Sequence, residues 1–196
     1  MTWTRTLWLP MPPMSKGSVG VDPESGRPFP HAKGYSAWER LALAVLEHYR
    51  PRTPVDSEVR LSLLDVVARP KGHLNAQGEV RPGAPARAGR GRFPDFDKSP
   101  RAVADALQKA GWLTDDKRVD CADYQRVWAR PGEPGRQRVS ITCDGPAVGF
   151  PAQGRDEVWA PTLAQAEEWA EERARARRVA GAKRAAETRR RRKAGG

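Results

Sequence analysis

Cysteine is nearly missing from this sequence, with only Cys121 and Cys143 in 196 residues and no paired spacing between them. That excludes a disulfide framework and a cysteine-built zinc site, and both thiols are expected to be free. Long apolar runs are missing as well. Residues 7–14 lean apolar but carry three prolines, too short and too broken for a signal or a spanning helix. The protein is therefore expected to be cytoplasmic, with no membrane partner. Acids are in deficit, 24 against 35 Lys and Arg, for a formal net charge of +11 and a pI near 10.3. Such a surface attracts polyanions without needing a shaped site, and nucleic acid is the expected partner.

What is present fits one ordinary domain with appendages, at 196 residues and 21.7 kDa, with 18 Gly and 18 Pro implying long surface loops. "TWTRTLWLP" alternates as a strand up to Pro10. The Pro- and Gly-rich stretch 11–34 reads as a loop. "YSAWERLALAVLEHYR" then sets Ser36 and Glu39 at capping-box spacing and lines up Trp38, Leu41, Ala42, Val45, Leu46 and Tyr49 as an amphipathic helix. "SEVRLSLLDVVAR" alternates Val59, Leu61 and Leu63 as a second strand, with a phase slip at Leu64 that predicts a bulge. Residues 69–92 form a basic loop with six Lys or Arg and the single acid Glu79.

The informative stretch is "PDFDKSPRAVADALQKAGWLTDD", residues 94–116, where a basic chain gathers five aspartates around one short helix. Pro94 favours an extended segment in which Asp95 and Asp97 share a face. Ser99 is placed to cap a helix with Pro100 at its first position and Val103, Leu107 and Ala110 on its buried stripe, until Gly111 ends it. Arg101 and Asp105, four apart, read as an ordinary exposed ion pair. The chain then returns as an extended segment headed by Asp115 and Asp116. Crowded carboxylates repel unless a proton or cation neutralises them, and Mg²⁺ is the natural cation because it takes a few carboxylates together with substrate phosphates. An acidic centre inside a basic surface is the electrostatic pattern of a metal-dependent nuclease: the bases hold the DNA backbone that the acids alone would repel.

The ordered pattern P-D-x-D-K-x-x-R-A-V-x-D-A-L, then K-A-G-W-x-x-D-D, resembles the RusA-type Holliday-junction resolvases, especially their phage-borne members. "LPMPPMSKGS" and "RPKGHLNAQGEVRPGAP" resemble two further segments of that family, so the likeness spans roughly residues 7–123. It implies an α+β fold, a small mixed sheet packed with helices, and a homodimer that uses Mg²⁺ and no organic cofactor to nick four-way DNA junctions. The family's essential acids correspond to Asp95, Asp97 and Asp116, with Asp115 as the adjacent acid. Arg101 stands where the family carries a catalytic Lys or Arg, and Lys98 completes the D-x-D-K form. The implied chemistry is in-line attack of water on phosphorus, leaving a 5′-phosphate and a 3′-hydroxyl. Arg101 would sit on the scissile phosphate, and Lys98, Lys71, Lys16 and His73 on neighbouring DNA. A two-fold dimer would supply the paired nicks that a four-way junction needs.

Beyond the likeness, "GRQRVSITCD" supplies another strand. Residues 1–150 are expected to form the nuclease domain, 151–161 a linker, and 162–196 a basic helical or partly disordered tail, opened by a Thr162/Gln165 capping box and helical to about Val179. The tail is either a solvated appendage or a nonspecific DNA-binding arm. Two other functions fit the same residues: a catalytically silent DNA-binding protein, or a nuclease for flaps or forks.

Overall fold

Alternation builds the sheet. In β1 (Thr2–Leu9) every second side chain, Trp3, Arg5, Leu7 and Leu9, is buried, as a strand with one face on the core requires. The structure, a computed structural model, describes residues 2–14, 19–21, 28–30, 34–88, 98–145 and 158–194. After β1 come β2 (Val19–Val21), β3 (Pro28–Pro30), α1 (Tyr35–His48), β4 (Val59–Val67), α2 (Lys98–Lys109), β5 (Val119–Trp128), β6 (Arg136–Asp144), β7 (Val158–Trp159) and α3 (Leu163–Ala194). The main sheet is ordered β5-β4-β6-β1-β7, with β4 and β5 parallel, β4, β6 and β1 antiparallel in turn, and β7 parallel to β1. The fold is α+β with a mixed sheet.

The core lies between this sheet and α1 and α2. Leu7, Leu9, Val59, Leu61, Val139 and Ile141 from the strands meet Trp38, Ala42, Val45 and Leu46 of α1 and Val103 and Leu107 of α2. Each large apolar side chain so buried contributes about 1.5–3 kcal/mol. Trp112, fully buried, donates its indole N–H to the Leu46 carbonyl at 2.7 Å and ties the end of α2 to α1. On the opposite side of β1 and β6, Thr4 meets Thr142 at 3.0 Å and Thr6 meets Ser140 at 2.9 Å, so hydroxyls satisfy one another across the strands.

Several local expectations are corrected. The loop 11–34 contains the β2–β3 ribbon. α1 starts behind Gly34, whose φ of 89° puts it in the left-handed region, and no side chain caps the helix. The expected capping acid, Glu39, is drawn instead to Lys109 of α2 at 2.5 Å. β4 has no bulge at Leu64. Its burial continues through residue 65, and the irregularity falls between Val59 and Arg60 opposite β5. The apparent phase slip arose because a charged residue, Asp65, occupies a core-facing position. The stretch 151–161, read as a linker, supplies β7 at its described end, where Trp159 is buried and stacks on Tyr49 with ring centroids 4.9 Å apart.

The tail is helical further than expected: α3 runs without a break through Gly181 to Ala194. Its start is the reciprocal cap that the sequence predicted, with Thr162 N donating to Gln165 Oε1 at 2.8 Å and Gln165 N to Thr162 Oγ1 at 3.2 Å. Its first half docks on α1. Ala166 and Ala170 are buried, Trp169 stacks on His48 at 3.8 Å, and Arg173 pairs with Glu47 at 2.5 Å.

Candidate active site

β4, α2 and β5 form a parallel strand–helix–strand crossover, and the chemistry-bearing residues gather along α2. The extended segment expected from the sequence just ahead of the helix, residues 93–97, lies outside the described residues, and the strand paired with β5 is β4. At the C-terminus of α2, Gly111 adopts φ 78°, Gly111 N donates to Gln108 O at 3.0 Å and Trp112 N to Leu107 O at 2.9 Å. This glycine-based stop reverses the chain. Leu113 then pairs in parallel with Val55, with Val55 N on Trp112 O at 2.8 Å and Thr114 N on Val55 O at 3.1 Å. Thr114 and Arg118 both donate to Asp56, at 2.6 and 2.7 Å. Asp115 and Asp116 are thereby held on a short turn clamped at both ends to Val55 and Asp56, just ahead of β4.

The two neighbouring carboxyls are shifted in opposite directions. Asp115 accepts from Lys117 N at 3.0 Å, and that bond chiefly holds its carboxyl below the usual range. Asp116 is pushed above it by its hydrogen bond to Asp115 and then by desolvation and by Asp105. The third carboxylate, Asp105 of α2, was read from sequence only as half of a surface ion pair; its proximity to Asp116 is the site feature that the sequence reading missed. Seven residues separate it from the start of α2 and four from Arg101, which puts Arg101 on the same helix face one turn away. Arg101 is exposed, and Lys98 opens the helix half-buried. Near this end of α1, burial pushes the Tyr35 hydroxyl up, helped by Glu39 and Asp105.

The other end of α2 rests on a buried polar network that no sequence signal announced beyond the broken alternation of β4. Ser99 is expected as a helix cap, but α2 begins at Lys98 and Ser99 lies inside the first turn, fully buried. Its hydroxyl donates to Asp65 Oδ2 at 3.2 Å; Tyr124 donates to the same oxygen at 2.5 Å, and Gln137 Nε2 to Asp65 Oδ1 at 2.7 Å. Gln137 Nε2 also reaches Ser99 Oγ at 3.0 Å, and the Arg126 guanidinium lies 3.7 Å from Asp65. Burial pushes Asp65 above the usual range against the pull of its donors. The first turn of α2 is thus pinned to three strands at once.

Asp95, Asp97 and Lys16 lie outside the described residues. Lys71 is exposed and His73 half-buried on a short 3-10 turn, with His73 edge-on to Trp128 at 5.2 Å and Arg69 over the same indole at 5.6 Å. They stand by the last residue of β5, whereas Asp116 precedes its first. Ten strand residues, about 33 Å at 3.3 Å each, separate those ends, so the structure does not bring Lys71 and His73 to Asp116.

Carboxylates brought together at a chain reversal, on an α+β chain that is otherwise strongly cationic, have the chemistry to hold a cation beside a polyanion. Over residues 10–142 the chain matches the family of endodeoxyribonuclease RusA, and it belongs to that family. It is thus an endodeoxyribonuclease by family. No curated protein matches the chain. The match ends inside β6, so β7 and α3 lie beyond it. No helix among the described residues is long and apolar enough to cross a membrane.

Proposed function

We propose that this protein is a Mg²⁺-dependent endonuclease that resolves four-way DNA junctions by paired nicks, working as a homodimer on intracellular DNA. The observation that carries the reading is the cluster of Asp105, Asp115 and Asp116 at the α2–β5 reversal, in a member of the RusA family with net charge +11. Crowded carboxylate oxygens repel one another and suit a hard divalent cation, which relieves that repulsion. Among the described residues no group of three or more His, Cys, Asp or Glu is arranged to hold a metal on its own. Asp116, with Asp115 or Asp105 beside it, would therefore hold the ion together with Asp95 and Asp97. Magnesium, when bound, supplies positive charge to the phosphodiester under attack and makes water more acidic.

The chain's own residues do the rest. The Asp116 carboxyl, raised above the usual range by Asp115 and Asp105, would bind a cation more readily as pH rises. Arg101, one turn along α2 from Asp105, would donate to the scissile phosphate and stabilise its developing negative charge. The Ser99–Asp65–Gln137 network fixes the first turn of α2, the helix that carries Arg101 and Asp105. Lys98 and Lys16 serve flanking phosphates, and Lys71 and His73 a DNA segment further away. Cleavage of a four-way junction, fork, flap and linear duplex, compared with and without Mg²⁺, tests the reading. Symmetric Mg²⁺-dependent nicks in the junction are expected; equal cutting of all four substrates, or none, rejects it.

A further inference from the structure

α3 changes character halfway along. Up to Arg173 it is a docked helix; from Ala174 to Arg191 every side chain is exposed. Residues 174–194 carry ten Lys or Arg against the single acid Glu187. At 100° per residue these positive charges point in all directions around the axis, so the segment has no apolar seam for a partner helix. It has the character of a cationic rod, suited to a polyanion rather than to a protein groove.

The direction of the rod is set by its docked half. As α3 advances from Trp169 to Arg173, its partners on α1 step back from His48 to Glu47, and Ala176 lines the same cleft as Ala44. The two helices run antiparallel, so α3 heads toward the α1 N-terminus. That is the end where Glu39 reaches Lys109 of α2 and where Tyr35 lies near Asp105. Arg173 to Ala194 is about 32 Å of unbroken helix at 1.5 Å per residue, and with every side chain from Ala174 to Arg191 exposed it projects from its docked half into solvent, carrying Arg189, Arg190 and Arg191 followed by Arg192 and Lys193.

We infer that the distal half of α3 is an aimed arm that grips the backbone of a duplex leaving the active site, and that its rigid docking on α1 sets where that duplex lies. The inference rests on the nuclease reading for the identity of the duplex, and on the helix alone for the grip. The family match does not reach this segment.

Two full-length variants test it, with binding to a four-way junction and to linear duplex measured in EDTA across a salt series. In the first, Arg189, Arg190, Arg191, Arg192 and Lys193 are all changed to Gln. Each phosphate contact contributes about 0.9 to the slope of log affinity against log salt, so losing five should flatten the slope by up to about 4.5, and affinity near 150 mM salt should fall at least tenfold. In the second, Val179→Pro keeps every charge but breaks the helix between its docked and charged halves; Val179 is 56% exposed, so the core is untouched. An aimed arm should lose at least fivefold in affinity here, whereas a loose tail would lose nothing. An unchanged slope in the first variant, wild-type binding in the second, or a change of oligomeric state in place of a change in slope overturns the inference. A flattened slope in the first variant, together with a wild type that cuts no junction with Mg²⁺, would reject the nuclease reading and still support the arm.

Discussion

Replacing Asp65 with Leu should unfold the anchor of α2 rather than merely trim it. Asp65 is fully buried and accepts from Ser99, Tyr124 and Gln137 at 3.2, 2.5 and 2.7 Å, with Arg126 at 3.7 Å. Removing one partner of a buried charged pair typically costs about 3–5 kcal/mol, because the group left behind is still desolvated. The lower figure applies here, since burial already disfavours the Asp65 charge and Gln137 keeps its second bond to Ser99. For a chain of this size about 3 kcal/mol lowers Tm by roughly 6–12 °C, which thermal denaturation by circular dichroism resolves. A milder variant, Asp65→Asn, isolates the proton. The folded-state pKa of Asp65 lies above the unfolded one, so its contribution to stability is full below the unfolded value near 4 and is lost as pH rises through the folded value. The Tm of the wild type minus that of Asp65→Asn should therefore grow as pH is lowered from 7 toward 4. A difference that grows with rising pH, or an Asp65→Leu protein as stable as the wild type, would refute the reasoning.

Asp116→Asn, like Asp97→Asn, should abolish junction cleavage while leaving junction binding equal or tighter, since each removes a proposed ligand and a charge facing phosphate; wild-type single-turnover rates would contradict it. Ca²⁺ should support binding but replace Mg²⁺ poorly in cleavage, because its looser coordination positions water less well, and equal turnover with the two ions would count against this. Arg101→Ala should lower the single-turnover rate about 10²–10³-fold with junction affinity reduced far less. Mg²⁺ affinity should rise with pH, since Asp116 holds a proton above the usual carboxylate range and must release it to bind; an Mg²⁺ titration at several pH values checks the sign.

Much of this protein was determined by its sequence alone, wherever a property belongs to a run of neighbours. Strand alternation in β1 and β6, the stripe of α2 and its stop at Gly111, the reciprocal Thr162–Gln165 cap and the net charge all follow from residues within a few positions of one another. The candidate acids Asp115 and Asp116 were legible for the same reason, as part of an ordered local pattern. Tertiary structure decided what depends on distant partners. Asp65 disguised itself as a bulge because its donors come from α2, β5 and β6, and Ser99 faces that carboxylate instead of capping its helix. Asp105 joined the site only because the α2–β5 reversal carries Asp116 back beside it. Leu43 and Ala44, outside the stripe expected for α1, are buried in a helix that has the sheet on one side and α3, arriving more than a hundred residues later, on another. Whether the basic tail was a helix aimed at anything also had no local answer, because Trp169 finds His48, and Arg173 finds Glu47, only across the folded molecule.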